Sequence, residues 1–201
     1  MNAIESLGLT HNTMVIFTSD NGGISSEHGL FQQLGIDHDT NYPLRGDKGD
    51  VLEGGVRVPF IIQYPGKVEA GKTSDAPFCM TDLMASFGAM LDINIPANAA
   101  EDSYNVFPAL LNEGSVSDHP FVLQGRAGIL GLRWGEWKYI PAPGNGDNNS
   151  NPPPDAPQVQ LYRITEDINE QNNLFDQYPN KVHIMDEMLN RIKETSGRSV
   201  W

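Results

Sequence analysis

The sequence is poor in basic residues, and this shortage limits the partners that the protein can have. Its 201 residues contain 13 Lys and Arg against 26 Asp and Glu, a formal net charge of -13 at pH 7. A charge of this sign repels nucleic-acid phosphates and anionic membrane surfaces. The chain also has no apolar run near the roughly 20 residues that a membrane-spanning helix needs. We therefore expect neither nucleic acid nor membrane among its partners.

Cysteine is equally scarce, because Cys79 is the only one in the chain. A single cysteine cannot form an internal disulfide, and it has no second thiolate with which to build a zinc site. This cysteine content is compatible with either a reducing or an oxidising compartment.

The first part of the chain has α/β character. Met14 to Thr18 is an uninterrupted apolar run, which is typical of a parallel strand covered on both faces. A second buried strand is predicted over Val58 to Tyr64, and a helix over Thr81 to Leu91. Between the strands, residues 22–42 are polar and aperiodic, which predicts a long loop of the kind that carries function.

From about His119 the pattern changes to short strands joined by turns. Strands are predicted at 121–123, 129–133, 137–140 and 160–163, and a closing helix at 179–193. We therefore expect a small antiparallel sheet with a C-terminal helix, and we divide the chain into domains at 1–118 and 119–201.

The strand at Met14 raises a question of completeness. Only 13 residues precede it, yet a strand with this pattern needs neighbours on both sides and helices on both faces. We expect the chain to be the C-terminal part of a larger α/β protein. In isolation it would leave an unpaired apolar edge on this strand and would be prone to aggregate.

Asp20 and Asn21 follow the first strand directly, where an open α/β sheet places its ligands. Gly22 and Gly23 permit a turn that brings both side chains to one point. Carboxylate and amide oxygens suit a hard cation, calcium or magnesium, better than zinc. An ordinary Asp-Asn-Gly turn is the alternative explanation for these residues.

A second group of residues lies in the glycine-rich segment from Pro43 to Pro59. Glycines let a backbone approach a ligand closely, and Lys48 offers a point charge for an anionic oxygen. The alternative is an exposed loop whose lysine is merely solvated. His28 and His38, in the long loop, are candidate substrate contacts, although a role unrelated to function is available to each of them.

The segments FTSDNGG and PLRGDKGDVLEGGVRVPFIIQYPGKVEAG together resemble the type I sulfatases, the arylsulfatase branch of the alkaline-phosphatase-like superfamily. The likeness continues through GLRWGEWKYI and LYRITEDINEQNNLFDQYP and extends from about Leu9 to Ser199. It implies that the chain is the C-terminal part of an alkaline-phosphatase-like α/β sandwich, followed by the small antiparallel sheet with its closing helix.

The resemblance also implies roles for individual residues. Asp20 and Asn21 match two ligands of the family's calcium ion, and Lys48 matches the lysine that contacts the sulfate, which makes it the catalytic candidate of this chain. Arg45 is retained as a candidate substrate contact, although a structural role suits it better. Asp47 departs from the pattern, because small residues are usual at this position and it adds a negative charge beside Lys48.

The family's nucleophile is a formylglycine made in a Cys/Ser-x-Pro-x-Arg motif, and this chain contains no such motif. A calcium ion needs six to eight oxygens, so the metal site also needs residues from elsewhere. We therefore expect that the chain alone neither folds fully nor turns over substrate, and that it depends on a missing N-terminal half.

The resemblance implies a parent sulfatase acting on a sulfated carbohydrate or a small-molecule sulfate ester. The sequence itself gives no location, but a periplasmic or extracellular parent is expected from the resemblance. Two alternatives stay open: another alkaline-phosphatase-like hydrolase of phosphate or phosphonate esters, and a non-catalytic binding module on the same scaffold.

Overall fold

A computed structural model describes residues 1–24, 29–35, 38–96, 98–111, 118–126, 128–142 and 154–195. The strands are β1 (Val15–Thr18), β2 (Phe60–Gln63), β3 (Phe121–Gln124), β4 (Leu130–Trp134), β5 (Trp137–Ile140) and β6 (Gln160–Arg163). The α-helices are α1 (Asn2–Ser6), α2 (Gly29–Leu34), α3 (Glu53–Val56), α4 (Leu83–Met90), α5 (Phe107–Leu110) and α6 (Pro179–Thr195), and short 3-10 helices span Thr10–Asn12 and Met80–Asp82. None of the helices within the described ranges is long and apolar enough to cross a membrane.

The chain divides into two compact units. One contains Met1–Thr18 and Pro59–Asp118, and the other contains Ser19–Val58 and His119–Glu194. The candidate residues at 20, 21, 45 and 48 thus share a unit with the strands that follow residue 118. The division into domains at 1–118 and 119–201 stays a prediction.

In the first unit, β1 and β2 pair antiparallel, with Phe17 opposite Ile61. The prediction that β1 is a parallel strand was wrong for this neighbour. Phe17 is 63% exposed and Ile61 is 61% exposed, so these neighbours leave one face of the pair open. A continuous apolar run reports a tendency to be buried, but it contains no information about the direction of the neighbouring strand.

The second unit contains a four-stranded antiparallel sheet in the order β3-β4-β5-β6. Trp134 pairs with Trp137, so Gly135 and Glu136 form the two-residue turn between β4 and β5. Gly135 has a positive φ, which such a turn requires. The predicted α/β class, with a small antiparallel sheet and a C-terminal helix, is confirmed.

Strand β5 is buried along its whole length because both of its faces are covered. On one face, Trp137 and Tyr139 belong to a core with Met185 and Leu189 of α6. On the other face, Ile140 belongs to a second core, whose buried members also include Val51, Leu52, Tyr162 and Ile164. The glycine-rich segment is therefore anchored to the sheet by two adjacent apolar side chains.

The long loop predicted over residues 22–42 is interrupted by α2. This short helix had no helical periodicity to reveal it, since its sequence, GLFQQL, is less than two turns long. His28, one of the candidate substrate contacts, lies outside the described residues.

Candidate functional site

The two glycine-rich segments singled out by the sequence lie against each other, backbone to backbone. The amide of Gly22 donates to the carbonyl oxygen of Gly55 at 2.9 Å. The amide of Lys48 donates to the carbonyl oxygen of Gly23, also at 2.9 Å. These bonds place Asn21 and its neighbours beside the loop that presents Lys48. Residues that lie 25 to 33 positions apart in sequence thus form one local structure.

The close approach explains why these positions are glycines. A Cβ at Gly22 would collide with the carbonyl oxygen of Gly54, and one at Gly54 would collide with that of Gly46. A Cβ at Gly55 would collide with the carbonyl oxygen of Asp50. All three obstacles are backbone atoms, which cannot rotate away as a flexible side chain can. The glycines therefore let three stretches of backbone stack without side chains between them.

Asn41 joins the two segments with its side-chain amide. Its Oδ1 accepts a hydrogen bond from the Gly23 amide at 2.8 Å. Its Nδ2 lies within donating distance of the carbonyl oxygens of Gly23 and Gly46, both at 3.0 Å, and of Asp47 Oδ1 at 3.1 Å. Sequence reasoning missed this residue, because an asparagine in a polar loop looks like an ordinary turn residue.

Asp20 and Asn21 present oxygens of the kind that calcium prefers. Asp20 is exposed, and its Oδ1 is 3.5 Å from Ser19 Oγ. The Asn21 Nδ2 donates to the Gly22 carbonyl oxygen at 2.9 Å, and within the described residues Asn21 Oδ1 accepts no hydrogen bond. In the described ranges no group of three or more His, Cys, Asp and Glu side chains is placed to bind a metal ion. The two residues fit calcium in their chemistry, but two side chains are fewer than the six to eight oxygens that it takes.

Lys48 is exposed at the surface of its loop. Within the described part of the chain its ammonium forms no hydrogen bond or ion pair, while its backbone amide is fixed to Gly23. The neighbouring Asp47 accepts a hydrogen bond from Asn41, so this carboxylate is held by the side chain that joins the two segments, which we call the Asn41 clamp. The arrangement gives a fixed backbone that carries an available cation.

The other candidate substrate contacts occupy different surroundings. Arg45 Nη1 donates to the Glu170 carbonyl oxygen at 2.7 Å and to Tyr162 Oη at 3.1 Å. These hydrogen bonds link the loop to β6 and to the segment that follows it, which suits the structural role. His38 is exposed in the loop after α2. A substrate contact by Arg45, His28 or His38 stays a prediction.

A buried ionic cluster lies beneath the loop. The Lys138 Nζ is 3.0 Å from Glu53 Oε1 and 2.8 Å from Glu170 Oε1, and the Lys138 and Glu170 side chains are 0% exposed. Arg57 Nε is 2.6 Å from Glu53 Oε2, and the Glu53 amide donates to Glu170 Oε2 at 2.7 Å. The cluster ties α3, which begins at Glu53, to β5.

The two carboxylates of this cluster titrate in opposite directions. Burial raises the pKa of Glu53, but the charges of Lys138 and Arg57 outweigh it, so the pKa of Glu53 is lowered. Burial also raises the pKa of Glu170, and here Lys138 and the Glu53 amide offset it only in part, so that pKa stays raised. Glu53 has a second cation and Glu170 does not, which accounts for the difference.

Cys79 does not have the properties of a nucleophile. Burial and the nearby Asp82 carboxylate raise the pKa of its thiol to about 12. The thiolate is the reactive form, and almost none of it exists at neutral pH with such a pKa. This agrees with the absence of the family motif around Cys79.

Comparison with known proteins points to one family. The family model described as Sulfatase matches residues 1–93. The N-acetylgalactosamine-6-O-sulfatase of Bacteroides thetaiotaomicron is 34% identical over 210 residues, which cover 96% of this chain and 39% of the relative. Human arylsulfatase A is 29% identical over 189 residues, covering 87% of this chain and 36% of the relative.

Solved structures show the same likeness. A sulfatase structure from work on glycosaminoglycan metabolism by Bacteroides thetaiotaomicron has a TM-score of 0.83 and 32% identity, covering 96% of this chain and 41% of that one. The protein i-CgsB, solved in complex with a neocarrahexaose, has a TM-score of 0.76 and 26% identity, covering 100% of this chain and 40% of that one. The chain thus spans about two fifths of the length of these relatives. On its sequence and its fold, this chain belongs to the type I sulfatase family.

Proposed function

We propose that this chain supplies the sulfate-binding lysine and two calcium ligands of an enzyme that hydrolyses sulfate esters. The observation that carries the proposal is the backbone pairing of Gly22 with Gly55 and of Gly23 with Lys48. Because of this pairing, the side chains of Asp20, Asn21 and Lys48 start from neighbouring stretches of backbone. Hard oxygens beside a cation that has no ion pair among the described residues suit an anionic substrate bound with the help of a metal ion.

Each residue has a separate task in this proposal. Hydrolysis of a sulfate ester breaks the S–O bond to the leaving alcohol, and negative charge grows on that oxygen as the bond lengthens. Lys48, fixed by its amide and available at its ammonium, would neutralise the charge that develops on the ester. Asp20 and Asn21 would hold a calcium ion, which when bound supplies further positive charge at the sulfate.

The substrate we propose is a sulfated carbohydrate, with a small-molecule sulfate ester as the simpler alternative. Support comes from the relatives: one is an N-acetylgalactosamine-6-O-sulfatase, and another was solved with a neocarrahexaose. Both names describe sugar chemistry on proteins that resemble this chain over nearly all of its length. A periplasmic or extracellular location stays a prediction.

We also propose that the 201 residues are inactive by themselves. The sequence has no Cys/Ser-x-Pro-x-Arg motif, and the thiol of Cys79 is protonated at neutral pH. Two side chains cannot satisfy a calcium ion. The nucleophile and the remaining metal ligands would therefore come from outside this sequence.

The test begins with the coding DNA on both sides of this sequence, which is searched for an in-frame Cys/Ser-x-Pro-x-Arg segment. The longest in-frame product and the 201-residue chain are then assayed with 4-nitrophenyl sulfate and with N-acetylgalactosamine 6-sulfate. We expect turnover by the motif-bearing product and none by the 201 residues.

The variants assign the activity to this site. Lys48→Ala should lower kcat of the active product by about 100-fold or more, the size of effect seen when one charge-stabilising group is removed. Lys67→Ala, which removes an exposed lysine of the other unit, is the matched control and should leave kcat unchanged. Lys48-dependent hydrolysis by the 201 residues alone would overturn the proposed inactivity. A motif-bearing product that hydrolyses no sulfate ester would overturn the proposed function.

A further inference from the structure

The turn that follows β3 lies directly on the loop of Lys48. The Arg126 amide donates to the Gly49 carbonyl oxygen at 2.7 Å. A Cβ at Gly125 would lie 3.0 Å from that same oxygen, so the glycine permits this approach. The turn is closed by the Gly125 amide, which donates to the Ile129 carbonyl oxygen at 2.7 Å. Arg126 therefore starts from a backbone position that is fixed relative to Lys48.

The Arg126 side chain is exposed and turns towards the lysine. Its Nη2 lies 3.5 Å from the backbone carbonyl oxygen of Lys48. This contact places the guanidinium at the base of the Lys48 side chain and engages one of its five N–H donors. The remaining donors face no other hydrogen-bond acceptor within the described residues.

Lys48 and Arg126 form no ion pair within the described part of the chain, although the protein carries twice as many acidic as basic residues. The carboxylates nearest in sequence, those of Asp47 and Asp50, keep their negative charge but are oriented by hydrogen bonds from other groups. Asp47 accepts a hydrogen bond from Asn41, and Asp50 accepts one from the Asp47 amide. Two like charges held at adjacent backbone positions repel each other, and an anion that contacts both relieves this repulsion. A ligand with two negative groups relieves it best.

We infer that Arg126 is a specificity-determining residue that binds a second anionic group of the substrate, a sulfate or carboxylate next to the ester held by Lys48. The inference rests on the proposed function and narrows its substrate class to saccharides that carry two or more negative charges. Arg126 acts on binding and takes no part in breaking the S–O bond. Its removal should therefore change KM and leave kcat intact.

The experiment uses the active in-frame product and two disaccharides that differ only in a second sulfate. Arg126→Gln should raise KM for the disulfated disaccharide about tenfold, with kcat within twofold, and should leave the monosulfated one unchanged. Arg126→Lys keeps the charge without the planar donors and should fall between. Lys193→Gln, an exposed cation on α6, is the control and should change neither KM.

The outcomes separate this inference from the proposed function. An equal rise of KM for both disaccharides, or no rise for either, would overturn the role of Arg126 while sulfatase activity stands. Absence of wild-type turnover would instead count against the proposed function. In that case calorimetric titration of the 201-residue chain with the disulfated disaccharide decides, and equal affinity of the wild type and Arg126→Gln would refute the inference.

Discussion

Gly22 and Gly54 lie so close that a side chain on the first would collide with the carbonyl oxygen of the second. The contact joins, backbone to backbone, the segment of Asp20 and Asn21 to the segment of Lys48. The site therefore depends on the absence of a side chain at Gly22.

We predict that Gly22→Ala destabilises the unit by about 3 kcal/mol, the upper range for overpacking, because the obstacle is backbone and cannot rotate away. The measurement is urea unfolding followed by tryptophan fluorescence, to which Trp134 and Trp137 in this unit contribute. Gly131→Ala is the control, since its new Cβ would meet its nearest neighbour at an ordinary 3.5 Å. Equal stability of the two variants would contradict the prediction.

Asn41→Ala should cost about 2–3 kcal/mol, because three backbone groups and Asp47 lose their partner at once. Asn41→Asp keeps the acceptor for the Gly23 amide but loses the donors and places a carboxylate beside Asp47. It should therefore be at least as damaging at neutral pH and recover partly in acid. Unfolding at pH 5 and pH 7.5 measures both effects.

The control for Asn41 is Asn190→Ala, which removes an exposed asparagine of the same unit. Asn190 donates to Asp186 on one helix and joins no separate segments, so we expect a loss below about 1 kcal/mol. If the two alanine variants were equally stable, Asn41 would not be the clamp that the geometry indicates.

Two strands of the sheet, β5 and β6, were predictable from the residues of each strand and from the turn signals beside it. Residues 137–140 and 160–163 were predicted with the bounds that the structure has. The first contains Trp137, Tyr139 and Ile140, and the Gly135 turn defines the start of β5. The direction of β1 was not predictable, because pairing is decided by a partner about 45 residues away.

The candidate site was predictable only in part, for the same physical reason. Glycine-rich loops announce close backbone approach, so the two segments could be identified from sequence. Lys138 acts through a contact with Glu53, which is 85 residues away, and Asn41 acts through contacts with Gly23, which is 18 residues away. Lys138 lies in β5, where the alternation of side chains shows which face of the sheet it occupies. The alternation does not show that two carboxylates lie against that face.

Lys138→Met should destabilise the unit by about 3–5 kcal/mol at neutral pH, because it leaves Glu53 and Glu170 buried with less counter-charge. Glu170→Gln removes a charge whose pKa is already raised by burial, and it leaves Lys138 paired with Glu53. It should therefore be the milder change. Urea unfolding at pH 7.5 compares the two, and a milder Lys138→Met would refute the importance of the lysine.

The loss caused by Lys138→Met should depend on pH. In the wild type the lowered pKa of Glu53 favours folding above the ordinary value of 4.5, and the raised pKa of Glu170 opposes it. Without Lys138 both carboxylates should have raised pKa values. The folded variant then binds more protons than the unfolded chain above pH 4.5, so its stability falls as pH rises. We expect a smaller loss at pH 4.5 than at pH 7.5, and an equal loss would contradict this account.

The open face of the β1–β2 pair should control the solubility of the isolated chain. Phe17 and Ile61 lie directly opposite each other and are both more than half exposed, so they form a continuous apolar surface on a sheet with only two described strands. Exposed apolar patches of this kind favour association. Phe17→Ser with Ile61→Thr should therefore increase the monomer fraction in size-exclusion chromatography at equal concentration.

The control is Tyr42→Ser, which removes a single aromatic side chain that is 82% exposed in the other unit, and it should have no such effect. If Tyr42→Ser helped equally, general surface hydrophobicity and not this strand pair would govern association.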